Sequence, residues 1–266
     1  MQDEDKLLEK RALELARRAN DGGYYTFSPF LTLAQQSVVS RLEGRLETPL
    51  LWLGGYPGAE RRLACFGWED AWGYEPESPI RTLHIRAKNP RFSRELGHRD
   101  YLGSLMNLGL DRSRLGDLLV GDRECWLFCL EETAAFLCRE LTQVGSTPVV
   151  CAPGEAPETL VQEPEAKQIT AASARADALA AGVWGLSRSE SQGYFSKGLV
   201  FIDGRECPDP GRTLKAGELL SLRGRGRFRY EGEAGQTRSA VSGRGSGCGE
   251  GGGERVRFSP WSPVQG

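Results

Sequence analysis

The apolar positions at the start of the chain already specify a helix. Leu8, Ala12, Leu15 and Ala19 recur at spacings of four, three and four, which places them on one face, and Asn20-Asp21-Gly22-Gly23 stops the pattern. A second helix is expected from about Leu31 to Leu42, after the Ser28-Pro29 punctuation. Leu50–Leu53 is a short apolar run ending in glycines and reads as a strand. A loop, Gly55–Arg62, separates it from a further strand at Leu63–Phe66. Alternation from Thr82 to Ala87 predicts another strand, and Asn89–Leu110 is helical in character. Asp117–Val120 and Glu124–Leu130 flank the turn pair Gly121-Asp122 as a hairpin, Glu131–Leu141 forms a helix, and Pro148–Cys151 closes the sheet.

Further on, the pattern changes. Residues 153–170 carry three prolines and several glutamates and read as a linker. Ala176–Ala181 predicts a short helix. Ser187-Arg188-Ser189-Glu190-Ser191-Gln192 then offers two overlapping capping boxes for a second helix that ends at Gly198. Leu199–Ile202 reads as a strand, Asp203-Gly204 as a hairpin dipeptide, Lys215–Glu218 as a turn, and Leu219–Tyr230 as one strand-like run. The Gly- and Ser-rich stretch 231–266 is expected to be disordered. The fold class is therefore α+β. A mixed α/β N-terminal region is divided into 1–75 and 76–152, the second half open to a ferredoxin-like arrangement. The linker 153–170, a small α+β module at 171–230 and the tail at 231–266 follow.

Composition sharpens this outline. The 266 residues hold 34 Lys+Arg against 36 Asp+Glu, a net charge of −2, which excludes a uniformly basic nucleic-acid coat. Residues 171–230, however, hold ten basic and six acidic side chains, so a +4 module is hidden in the near-neutral total. No stretch approaches the length of a membrane span, the first twenty residues lack the apolar core of a secretory signal, and a cytoplasmic location is expected. Seven cysteines without Cys-x-x-Cys spacing are read as reduced thiols rather than a disulfide framework or a metal site, and no cofactor is expected.

Within the basic module Arg223, Arg225, Arg227 and Arg229 are spaced by two. In an extended strand all four leave one face, with neighbours roughly 6.6 Å apart, close to the phosphate repeat of RNA. Phe228 and Tyr230 take the opposite face, for packing or stacking. Arg188 and Lys197 add charge at the two ends of the capped helix, whose start presents N–H groups to a phosphate. A charge-protected edge strand and a disordered basic patch are the plainer alternatives.

These residues also carry a resemblance. Ser173-x-Arg175-x-Asp177, Ser187-Arg188-Ser189, Gln192, Lys197-Gly198-Leu199-Val200, Asp203-Gly204-Arg205 and Gly217-Glu218-x-Leu220-Ser221-x-Arg223-Gly224-x-Gly226-Arg227-Phe228 resemble the S4 RNA-binding domain. Upstream, Gly54-Gly55-Tyr56-x-Gly58-Ala59-Glu60-Arg61, His98-Arg99-Asp100-Tyr101-Leu102-Gly103 and Asn107-Leu108-Gly109-Leu110-x-Arg112-Ser113-x-Leu115-Gly116-Asp117 are similar to the YlmH-type bacterial proteins, in which a mixed N-terminal region precedes a C-terminal S4 domain. The resemblance implies a non-enzymatic protein that is a monomer when free and binds structured RNA, rRNA or tRNA, on the bacterial large ribosomal subunit. There it would act on obstructed subunits holding peptidyl-tRNA, in ribosome-associated quality control. The contacts it implies are Arg175, Ser187, Arg188, Ser189, Gln192, Lys197, Arg205, Arg223, Arg225, Arg227 and Arg229, with Arg61, Arg62, His98 and Arg99 as secondary ones. Ala176, Glu190 and Asp203 depart from the pattern, which usually has Leu, a basic residue and Asn there. The alternative is a protein-interaction adaptor, for example one linked to cell division, with RNA binding secondary.

Enzymatic rivals fail on spacing. His98-Arg99-Asp100 matches the start of the kinase catalytic loop, yet position 105 is Leu where Asn is required and no Asp-Phe-Gly follows; a structural role at a helix start, or an RNA or subunit contact, is the simpler reading. Gly247-x-Gly249-x-x-Gly252 has neither a strand before it nor a helix after it. The signatures of tyrosyl-tRNA synthetases, which carry the S4 domain C-terminally, are missing.

Overall fold

In the computed structural model the N-terminal periodicity becomes α1 (Gln2–Gly22), which buries Ala12, Ala16 and Ala19. Small side chains on that face let the helix lie close to the strands it covers. The structure describes residues 2–161, 167–171, 173–233 and 254–261. The chain divides into two units, one running from the N-terminus to Glu163 and the other from Pro164 to Pro263.

The first unit contains two antiparallel sheets. β1 (Thr26–Phe27), β2 (Leu50–Leu53) and β3 (Leu63–Phe66) pair in the order β1-β3-β2 under α1 and α2 (Leu33–Ser40). α2 is shorter than the apolar run suggested. Thr32 caps it in a reciprocal box with Gln35, and Leu31 pairs with Arg62 as an isolated bridge. After the single turn α3 (Glu69–Trp72) come β4 (Ile80–Ala87), α4 (His98–Asn107), β5 (Leu115–Val120), β6 (Glu124–Leu130), α5 (Glu131–Glu140), β7 (Gln143–Val144), β8 (Thr147–Pro153) and α6 (Glu158–Val161).

The second sheet has the order β5-β6-β4-β8-β7. Read through β4, α4, β5, β6, α5 and β8, this is the βαββαβ ferredoxin-like arrangement with all neighbours antiparallel. Leu83, Ile85, Tyr101, Leu105, Leu127 and Leu137 fill its core. Phe30, Leu63, Ile80 and Phe128 form a cluster between the two sheets, so the division expected near residue 75 is a junction inside one unit. Cys65, Cys125, Cys129 and Cys151 are buried free thiols, and burial pushes Cys65 and Cys129 up to about 12.

The second unit packs two helices, α7 (Ala176–Trp184) and α8 (Arg188–Ser196), against a sheet of β9 (Lys167–Ala171), β10 (Val200–Ile202), β11 (Arg205–Glu206), β12 (Leu219–Leu222), β13 (Gly226–Glu233) and β14 (Glu254–Trp261). Its order is β11-β10-β12-β13-β14-β9. Two stretches expected to lack structure thus contribute strands. β9 lies in the supposed linker, and β14 lies in the Gly-rich tail, paired with β13 on one side and β9 on the other. Residues 234–253 and 262–266 of that tail fall outside the described residues. Phe228, fully buried among Leu179, Phe195, Val200, Leu220 and Leu222, anchors this core, worth roughly 2–3 kcal/mol of burial. Ala176 is also fully buried.

Candidate nucleic-acid interface

The arginine row is not one strand. The chain turns between Leu222 and Gly226, where the Arg225 N–H donates to the Leu222 carbonyl at 3.0 Å. Gly224 and Gly226 hold φ of +80° and +107°, values that side chains with a Cβ resist. Arg223 and Arg225 therefore stand exposed at a hairpin tip. Arg227 and Arg229 lie on β13, facing away from the buried Phe228 and Tyr230. The two aromatics pack and do not stack on a ligand.

The tip is braced by aromatic groups. The Arg223 guanidinium sits over the Phe201 ring, 4.7 Å from its centroid. Arg225 Nε donates to the Tyr194 hydroxyl at 3.2 Å, and Trp184 Nε1 donates to the Arg225 carbonyl at 3.0 Å. The Trp184 ring in turn packs on Phe228. Phe201, Ser221 and Arg227 are consecutive partners across β10, β12 and β13. The result is a set of cationic groups, each held beside an aromatic face or a strand, with the tip arginines open to solvent.

α8 supplies the neighbouring surface. Of the two possible capping boxes the chain uses the first. Ser187 Oγ accepts from Glu190 N at 3.2 Å, while Ser187 N donates to Glu190 Oε2 at 2.8 Å, so the helix begins at Arg188. Hydrogen bonds from Ser187, aided by Arg225, hold the Glu190 carboxyl below its usual range. A carboxylate thus occupies the helix start that the sequence offered to a phosphate. Arg188, Ser189 and Gln192 are exposed on α8, and Lys197 is exposed at its C-terminal cap, followed by Gly198 at φ +65°. Arg205 lies half-buried on β11.

Arg175 differs from these. Its Nε and Nη2 grip both oxygens of Asp177 at 3.0 and 2.8 Å, and Asp177 is only 5% exposed. Burial alone pushes the Asp177 carboxyl up, but the Arg175 hydrogen bonds and the Ala178 N–H outweigh it and leave it lowered. Arg175 is therefore committed to a structural pair. Arg212 is committed in the same way, bidentate to Glu218 at 2.8 Å for both bonds.

Of the secondary residues of the first unit, Arg61 meets the carboxylate that ends the Asn107–Asp117 motif. Asp117, 6% exposed on β5, accepts from the Tyr56 hydroxyl (2.8 Å), Glu60 N (2.7 Å) and Arg61 N (3.1 Å). Arg61 spends its guanidinium on the carbonyls of Leu115, Phe30 and Arg112. Burial and the neighbouring Arg112 lower its pKa to about 10. Arg62 Nε donates to the Ala59 carbonyl at 2.7 Å. His98 begins α4 half-buried, its pKa lowered by burial and by Arg112, and Arg99 is exposed beside it. Asp100 accepts from Gly97 N and pairs with Arg94, so the pair that orders the helix start is Arg94–Asp100. The Gly54–Arg61 and Asn107–Asp117 motifs thus meet at a structural hub. The signal for it was a single carboxylate inside the apolar run Leu115–Val120.

One departure from the S4-like pattern has a measurable consequence. Asp203 sits at φ +48° in the β10–β11 turn and accepts from Leu219 N at 2.9 Å. Burial raises its pKa, so at neutral pH the folded state carries the charged form at a cost that the unfolded chain does not bear. Asp203→Asn keeps an acceptor, suits the left-handed region and carries no charge. Thermal unfolding should show a gain of up to about 1 kcal/mol at neutral pH, shrinking as pH falls through the raised pKa and the aspartate becomes neutral itself.

Residues 80–157, which span the ferredoxin-like elements, match the family model described as "Putative RNA-binding domain in YlmH". Among curated proteins the chain is 29% identical over 219 residues to the ribosome-associated protein quality control protein P2 of Bacillus subtilis (strain 168), covering 82% of this chain and 84% of that one. Among solved structures it is similar to the cell division protein ylmH from Streptococcus pneumoniae, at 17% identity and a TM-score of 0.46, covering 57% of this chain and 92% of that one. With the Gly54–Arg61 and Asn107–Asp117 motifs joined at Asp117 and the family domain spanning β4 to β8, the chain is similar to the YlmH-type RNA-binding proteins over most of its length.

Proposed function

We propose that the protein is a non-enzymatic RNA-binding protein of the ribosome, in which the second unit acts as an S4-type domain. The observation that carries this reading is the braced hairpin tip. Arg223 and Arg225 are solvent-exposed, yet each is oriented by an aromatic partner on a neighbouring element, Phe201 and Tyr194. That arrangement suits phosphates on a fixed RNA shape, because the cations are pre-positioned and lose little freedom on binding. Arg188, Lys197, Arg227 and Arg229 extend the same chemistry over α8 and β13. Ser189 and Gln192 add hydrogen-bonding groups on α8.

The Bacillus relative, named for ribosome-associated quality control, supports a role on ribosomes, and the family domain at 80–157 supports a second RNA contact in the first unit. The specific target we infer is the large subunit carrying peptidyl-tRNA. Ribosome pelleting with sequencing of crosslinked RNA tests this. Large-subunit rRNA and tRNA should be enriched, with crosslinks on Arg223–Arg229 and α8. Recovery of neither ribosomes nor tRNA would overturn the reading.

A further inference from the structure

The first unit exposes three large aromatic side chains. Tyr24, Trp68 and Tyr74 are 46%, 39% and 47% exposed, in a chain whose other large apolar side chains are mostly covered. Tyr74 belongs to an aromatic cluster, and Trp68 opens the helical turn that carries another of its members, Trp72. Tyr25 contacts Trp72 and Tyr74 edge-on at 5.1 and 5.2 Å, and Trp72 stacks with Tyr74. The Tyr25 hydroxyl donates to the Tyr74 carbonyl at 2.9 Å. The cluster is rigid because Gly67 allows the rings to lie directly on the backbone; a Cβ there would come within 2.2 Å of Tyr25 and 2.7 Å of Trp72.

The exposed charges of the segment that carries Trp68 and Tyr74 are all acidic. Glu69, Asp70, Glu75 and Glu77 are exposed, and residues 63–80 contain no Lys or Arg at all. Glu69 and Glu75 lie close enough to act on the Tyr25 hydroxyl. Like charge makes such a segment a poor site for phosphate. Aromatic faces and carboxylates together favour one kind of group, a cation on an apolar stem, which gains from the ring quadrupole, the charge and the buried methylenes at once.

We propose that this surface docks a Lys- and Arg-rich segment of a partner protein, whose cationic groups lie over Trp68 and Tyr74 and pair with Glu69, Asp70 and Glu75. It is a protein-binding surface on the first unit, independent of the RNA surface on the second. The charge complementarity commits the occupant. An acidic or purely apolar segment would leave the four carboxylates uncompensated.

The test uses the full chain and a fluorescein-labelled synthetic peptide alternating Lys or Arg with glycine, titrated by fluorescence anisotropy. Saturable binding is expected. Trp68→Ala and, separately, Glu69→Lys/Glu75→Lys should each weaken it roughly tenfold, whereas reversal of exposed acids elsewhere on the same unit, Glu43→Lys/Glu47→Lys, should leave it within about twofold. All four changed carboxylates and Trp68 are exposed, and matched unfolding curves confirm that the variants fold. No saturable binding by the wild type, an unchanged affinity in Trp68→Ala, or equal losses from the two charge reversals would each overturn the proposal. Peptide affinity should be unaltered in Arg223→Ala/Arg225→Ala, so failure of the RNA reading and failure of this one are told apart.

Discussion

Asp117→Ala should destabilise the first unit by about 3–5 kcal/mol, seen as a lower urea midpoint at an unchanged slope. The carboxylate is 6% exposed and satisfies three donors from a loop distant in sequence, the Tyr56 hydroxyl and the N–H groups of Glu60 and Arg61. Alanine leaves two buried N–H groups and a hydroxyl without their acceptor. It also removes the negative charge that offsets Arg61 and Arg112, both of which burial already lowers, Arg61 also through the neighbouring Arg112. Asp117→Asn should fall between the two, because an amide oxygen still accepts while its NH₂ faces donors. A loss below about 1 kcal/mol in Asp117→Ala would mean that water replaces the carboxylate and that the hub does not hold the Tyr56–Arg61 loop.

On the second unit the largest effect is on binding. Arg223→Ala/Arg225→Ala should reduce affinity for tRNA by ten- to a hundredfold at moderate salt and lower the slope of log K against log salt by about 1.5, the contribution of two phosphate contacts. The hairpin itself should survive. Its turn rests on Gly224, Gly226 and backbone hydrogen bonds, and the Trp184 indole binds the carbonyl of Arg225, which alanine retains. Arg227→Ala/Arg229→Ala should weaken binding less, since Arg229 Nη1 is already engaged with the Gly217 carbonyl at 2.8 Å. An unchanged salt slope in the tip variant would remove these arginines from the interface.

Local patterns in the chain were informative where local physics decides. The α1 face, the Ser187–Glu190 box, the Asp203-Gly204 turn and the order of elements behind the ferredoxin-like sheet all follow from spacing, caps and turn residues. The arginine row misled because alternation was read through two glycines that in fact bend the chain; a glycine inside a strand pattern is itself a sign of a turn or bulge. β14 was hidden because pairing between distant strands depends on tertiary context more than on composition, and β9 was hidden by neighbouring prolines. Arg61 and Arg175 show the same limit for function. Both are cations in suggestive motifs, and only the folded structure reveals that carbonyls hold one and a buried carboxylate the other.

The bond from the Trp184 indole to the Arg225 carbonyl gives the molecule a built-in reporter. A ligand that presses on the tip must either leave this donor in place or pull the carbonyl from it, and the indole N–H is observable on its own by its resonance and by its exchange with solvent. Slow exchange retained on binding would describe a rigid platform onto which RNA is fitted. Accelerated exchange would describe a hinge that the nucleic acid reshapes.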